Sequence, residues 1–165
     1  MPNKTNIKLV KNIIELARQN DMRITTAESC TGGMLISTLT DLPGASSVID
    51  CGFVTYSNEA KIDLLNVRKA TLKTYGAVSE EVALQMAEGA LEKAKAEVAI
   101  SITGIAGPGG TRLKPEGLVY FGITTSKTST KTKKVEFGSL GRNNVRIAAC
   151  NTALGMLLNE MSKSS

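Results

Sequence analysis

Apolar residues at Ile7, Val10, Ile13, Ile14 and Ala17 recur at helical spacing, which predicts an amphipathic helix ending near Asn20. The pattern then shortens. "MRITTAE" (22–28) reads as a strand, and "CTGGMLISTLTDL" (30–42) as a helix that stops before Pro43 and Gly44. "SVIDCGFVTYS" (47–57) is β-branched and aromatic, the signature of a strand, and "EAKIDLLNV" (59–67) reads as a short helix with Asn58 as its cap. In "LKTYGAVSEEVALQMAEGALEKAKAE" (72–97), Ser79 stands at a cap position and Glu80 and Glu81 fall in the first turn, where the helix dipole favours acids. "VAISITG" (98–104) has the continuous apolar character of a buried strand and runs into "IAGPGG" (105–110), which cannot be helical. "GLVYFGITT" (117–125) and "KTKKVEF" (131–137) read as two strands of a hairpin joined by the polar "SKTSTKT". A last helix is expected from near Arg142 to about Met161.

Strands alternate with helices over the first two thirds, and adjacent strands follow near the end. That order predicts an α/β fold, a three-layer α/β/α sandwich with a mixed β-sheet. There is no internal repeat and no break in composition, so residues 1–165 are expected to form one domain, a size able to bury a core. The one biased segment, the Ser/Thr/Lys stretch 124–134, fits a solvated hairpin tip.

Composition narrows the function classes. Hydrophobic residues make up 42% and charged residues 21%, as in ordinary globular proteins. No apolar run approaches the roughly 18 residues of a membrane span, and the N-terminal stretch 1–20 lacks the pattern of a signal peptide, so a cytoplasmic protein with no membrane association is expected. The net charge of +5 suits anionic small molecules, but the absence of a nucleic-acid-binding signature and the few aromatic residues argue against nucleic acid as partner. Cys30, Cys51 and Cys150 are widely spaced and form no CxxC, and the chain has no histidine; no metal site is expected, and the thiols are read as reduced.

Four segments can carry chemistry, three of them at the carboxyl ends of strands, where α/β proteins place their sites. In "ESCTGG" (28–33), Ser29 is either a helix cap or a nucleophile. The N–H groups of Cys30, Thr31, Gly32 and Gly33 would be the free donors of a first helical turn, able to hold a phosphate or an oxyanion. Cys30 is the rival nucleophile, less favoured because no histidine can pair with its thiol. In "TYSNEAK" (55–61), Lys61 is either a solvated lysine or, with a lowered pKa, a base, and Tyr56 stands at the strand end. The glycines of "TGIAGPGG" (103–110) mark either a turn or close passage of a ligand; the spacing is neither a Walker A loop nor a dinucleotide fingerprint. Arg142 and Arg146, four apart at a helix start, disfavour the dipole and point to an anion, or else to solvent and an ion pair.

Taken together, "AESCTGG" (27–33), "GFVTYSNEAK" (52–61), "GAVSEEVA" (76–83), "TGIAGPGG" (103–110) and "KPEGLVYFG" (114–122) resemble, in order and over most of the chain, the CinA carboxy-terminal domain family, the nicotinamide-nucleotide amidases. The chain looks like the stand-alone form of that domain. The resemblance implies hydrolysis of nicotinamide mononucleotide to nicotinate mononucleotide and ammonia, with no cofactor. It implies Ser29 as nucleophile, Tyr56 and Lys61 as its activating partners, Thr103 and the glycine loop (Gly104, Gly107) as substrate contacts, and Arg142 as a ligand of the phosphate or the carboxamide side. Family members often carry an acidic residue just before this arginine, where the present chain reads "LGRNNVR". If Lys61 is not the base, Tyr56 or Glu28 is the next candidate. The alternative function is a non-catalytic nucleotide-binding module linked to competence or DNA-damage responses; a metal-dependent phosphohydrolase is a weaker rival. A homo-oligomer is expected of a small α/β enzyme.

Overall fold

A computed structural model describes residues 4–163. The outermost residues of the expected 1–165 domain, including the first three of the stretch read as lacking a signal peptide, lie outside the described part. The elements run α1 (Lys4–Gln19), β1 (Ile24–Glu28), α2 (Met34–Thr40), a 3-10 turn (Ala45–Ser47), β2 (Ile49–Val54), α3 (Asn58–Leu65), α4 (Lys69–Tyr75), α5 (Glu80–Ala94), β3 (Val98–Gly104), β4 (Leu118–Thr125), β5 (Lys131–Glu136) and α6 (Arg142–Lys163).

The sheet order is β2-β1-β3-β4-β5. β1 is parallel to both β2 and β3, while β4 is antiparallel to β3 and β5, so the sheet is mixed. Side-chain alternation along the strands divides the core between its two faces. Ile24, Ile100, Ile102 and Phe121 pack with Val10, Ile13, Leu35, Leu39, Leu154 and Leu157, which belong to α1, α2 and α6. Ala27 and Ala99 pack with Leu65, Leu72, Val82, Met86 and Ala90 of α3, α4 and α5. The result is the three-layer α/β/α sandwich. Among the described residues no helix is long and apolar enough to cross a membrane.

Three local expectations need correction. α2 begins at Met34, not at Cys30, because Gly32 (φ 59) and Gly33 (φ 93) hold a left-handed turn between β1 and the helix. The cap of α3 is Ser57, whose hydroxyl accepts the N–H of Ala60, and Asn58 is the first helical residue. A separate helix, α4, precedes the Ser79-capped α5 and ends at Gly76; its seven residues are too short to show a period.

Candidate functional site

A cleft of about 300 Å³ opens at the carboxyl ends of β1 and β3. Its walls are Ser29, Cys30, Tyr56, the loop from Gly104 to Gly109, and Arg142.

The local fold begins with Glu28, the last residue of β1, whose side chain is fully buried. Its carboxylate turns back onto the start of α2. Oε2 accepts the N–H groups of Gly33 (3.1 Å) and Leu35 (3.0 Å), and Oε1 accepts that of Ile36 (2.9 Å). A carboxylate therefore does the capping at a helix terminus that carries positive partial charge. Ser29 is thereby released from the role of cap. The same bonds occupy both oxygens of Glu28, so it is not poised as a base. They also correct the expectation of four free N–H groups: Gly33 donates to Glu28 and Gly32 donates to the Ser29 carbonyl (3.0 Å). The N–H groups of Cys30 and Thr31 donate to no backbone carbonyl among the described residues; that of Cys30 faces its own thiol.

Lys61 lies one turn into α3, and its side chain is 1% exposed. Its Nζ is 3.0 Å from the Ser29 hydroxyl and donates to the Thr55 carbonyl at 2.7 Å. The parallel pairing of β1 and β2 sets this distance, extended by the bond from the Thr55 N–H to the Glu28 carbonyl. No carboxylate forms an ion pair with Lys61 among the described residues. Burial strips water from the ammonium and lowers the pKa of Lys61 from its ordinary value. The outcome is an amine pushed toward the neutral form, fixed by a carbonyl and touching a hydroxyl.

The adjacent thiol is pushed the other way. Burial raises Cys30 to about 11, which leaves it protonated at neutral pH. Cys30 lines the cleft, but as a thiol.

Tyr56 is largely exposed, and its hydroxyl accepts a hydrogen bond from Arg142 Nη2 (2.7 Å). It touches Arg142 rather than Ser29 or Lys61. Arg142 also donates through Nη1 to the Gly107 carbonyl (2.7 Å), so its guanidinium bridges the glycine loop and the tyrosine. Arg146 does not share this position. Its Nη2 donates to the Thr31 carbonyl (2.9 Å), bracing the turn from outside the cleft, and its Nε is buried without a partner. Thr103 is buried, and its hydroxyl donates to the Ala77 carbonyl (2.8 Å) on the α5 side. Thr31, Gly32 and Gly33 shape the turn and are not in the cleft wall. Of the expected substrate contacts, the structure thus brings Cys30, Gly104, Gly107 and Arg142 to the cleft and places Thr31, Gly32, Gly33, Thr103 and Arg146 behind it.

Two parts of the site were missed in the sequence: the Thr55 carbonyl and the capping role of Glu28. Thr55 acts through its backbone and carries no sequence signal. Glu28 had one: an acid closing a short strand a few residues before a glycine pair and an apolar helix.

The fold and site define a class: an α/β/α sandwich that buries a lysine against a serine hydroxyl at the carboxyl ends of parallel strands. The chain belongs to the CinA C-terminal domain family, which it matches over residues 6–161. It is 54% identical over 123 residues to a CinA-like protein of Chloroherpeton thalassium, covering 74% of this chain and 29% of the relative. With a CinA-like protein of Kosmotoga olearia it shares 46% identity over 143 residues, 86% of this chain and 34% of the relative. The chain spans about a third of the length of these curated relatives. Among solved structures, the competence/damage inducible protein CihA from Agrobacterium tumefaciens superposes with a TM-score of 0.92 at 44% identity, covering 96% of this chain and 98% of that one. A CinA superfamily protein from Klebsiella pneumoniae gives a TM-score of 0.90 at 33% identity, with the same coverage.

Proposed function

We propose that the protein is an amidohydrolase that converts nicotinamide mononucleotide to nicotinate mononucleotide and ammonia through Ser29. One observation carries this reading: a buried, unpaired Lys61 amine 3.0 Å from the Ser29 hydroxyl. A neutral amine has one lone pair. With one of its N–H groups held by the Thr55 carbonyl, the lone pair can accept the Ser29 proton as the hydroxyl oxygen attacks the carboxamide carbon. The N–H groups of Cys30 and Thr31, which no backbone carbonyl claims, supply donors for the oxyanion, each worth roughly 3 kcal/mol where such donors have been removed from other enzymes. The lysine returns its proton to the leaving ammonia, and water then hydrolyses the ester on Ser29 with Lys61 again as base. Arg142, at the cleft rim, is the cation for the phosphate, and binding there exchanges its bonds to Gly107 and Tyr56 for bonds to phosphate oxygens. Tyr56 acts through Arg142. No step calls on a cofactor.

The second reading, a nucleotide-binding module without catalysis, draws on the description of the Agrobacterium relative as competence/damage inducible. Incubation of the purified protein with nicotinamide mononucleotide separates the two. Saturable release of ammonia supports the amidase; saturable binding without ammonia supports the module and overturns the catalytic reading.

A further inference from the structure

The "KPEG" segment (114–117) has no part in the chemistry above, yet its glutamate joins two elements of the cleft. The Glu116 carboxylate lies between the glycine loop and the start of α6. Its Oε2 accepts the N–H of Gly109 (2.8 Å), and its Oε1 accepts the N–H of Gly141 (3.1 Å), the residue before Arg142. Gly107 packs so near it that a Cβ there would sit 2.5 Å from the Glu116 carboxyl carbon. Arg142 closes the ring by donating back to the Gly107 carbonyl. The Glu116 backbone is itself anchored, since the next residue, Gly117, donates to Ile105 (2.8 Å) and accepts from Phe137 (2.9 Å).

We propose that Glu116 is the positioning residue of the anion end of the cleft: one carboxylate sets the glycine loop and Arg142 in register for the substrate's phosphate. Two N–H donors from segments far apart in sequence converge on it, and each is met by a different oxygen of the carboxylate. Among the described residues no hydrogen bond joins Glu116 to Ser29 or Lys61, so its effect falls on binding and not on the acyl-transfer step. The inference rests on the amidase reading for its substrate.

Glu116→Gln tests it, because an amide has a single acceptor oxygen and must present an NH2 to the other N–H. Steady-state ammonia release from nicotinamide mononucleotide is expected to show KM raised about tenfold, the usual scale for losing a charge-assisted hydrogen bond, with kcat within about twofold. Glu116→Asp, which keeps two acceptors one methylene short, falls between the two proteins and serves if the glutamine variant does not fold. In an Arg142→Ala background, Glu116→Gln adds less than about twofold to KM, since both act through one contact ring. An unchanged KM, a fall confined to kcat, or KM losses that multiply independently in the double variant overturns the proposal. If the wild type releases no ammonia, the amidase reading fails by itself. The proposal is then read from amide hydrogen exchange at Gly109 and Gly141: faster exchange at both in Glu116→Gln supports it, and unchanged exchange overturns it.

Discussion

Replacing Lys61 by methionine sets stability against function in one side chain. The substitution removes the amine and keeps a stem of similar volume at a site that is 1% exposed. If the amine is the base, ammonia release from nicotinamide mononucleotide falls by about 10²–10⁴-fold. Stability moves the other way. Removing a buried cationic group that has no carboxylate partner relieves a desolvation penalty of roughly a few kcal/mol. Against this, the Thr55 carbonyl loses its donor, a penalty of about 1–3 kcal/mol. A net gain of about 1 kcal/mol raises Tm by roughly 2–4 °C for a domain of this size. The pH dependence fixes the cause. The folded pKa of Lys61 lies below the ordinary 10.5, so in that window the unfolded chain binds the extra proton and wild-type stability rises with pH. Below the window the wild type carries the whole cost of the buried ammonium. The advantage of the methionine variant therefore shrinks as the pH rises through that window toward 10.5. Calorimetric scans across pH and a steady-state ammonia assay measure both halves. Ammonia release within tenfold of wild type refutes the base assignment, and a Tm difference that is flat with pH refutes the buried-amine argument.

Cys30→Ala retains ammonia release within about threefold, because a thiol raised to about 11 supplies almost no thiolate at neutral pH; a loss of a hundredfold or more moves the nucleophile to sulfur. Glu28→Gln leaves one acceptor oxygen for three N–H donors and is expected to cost about 2 kcal/mol in urea denaturation, and an unchanged midpoint contradicts its capping role. Gly89→Ala places a Cβ 1.9 Å from the Leu65 carbonyl oxygen, where α5 crosses α3, and is expected to cost about 3 kcal/mol; a cost below about 0.5 kcal/mol means that the two helices are not in that contact.

Most of the fold was legible because its elements carry strong periods or clear caps. "VAISITG" coincides with β3, and Ser79 followed by two acids marks the start of α5. The start of α2 was not, because a glycine pair that lets a helix begin near Cys30 equally permits the left-handed turn that delays it to Met34. At the site, Ser29 and Lys61 could be singled out from residue type and strand-end position, but no local pattern tells a buried lysine from a solvated one. What separates them is the Thr55 carbonyl, a backbone group placed by strand pairing. The two arginines illustrate the same limit. A spacing of four puts Arg142 and Arg146 near one another on α6, yet one reaches Gly107 and Tyr56 while the other is drawn to the Thr31 carbonyl. Thr103 ends a strand that feeds the cleft, but side-chain alternation turns its hydroxyl toward Ala77.

The account depends on the Ser29 hydroxyl being the atom that attacks the carboxamide. Ammonia release by wild type and Ser29→Ala, compared under saturating nicotinamide mononucleotide, tests this most directly. The account predicts that the alanine variant folds, binds the nucleotide and releases ammonia at least about a thousandfold more slowly. Turnover near the wild-type rate in that variant contradicts it.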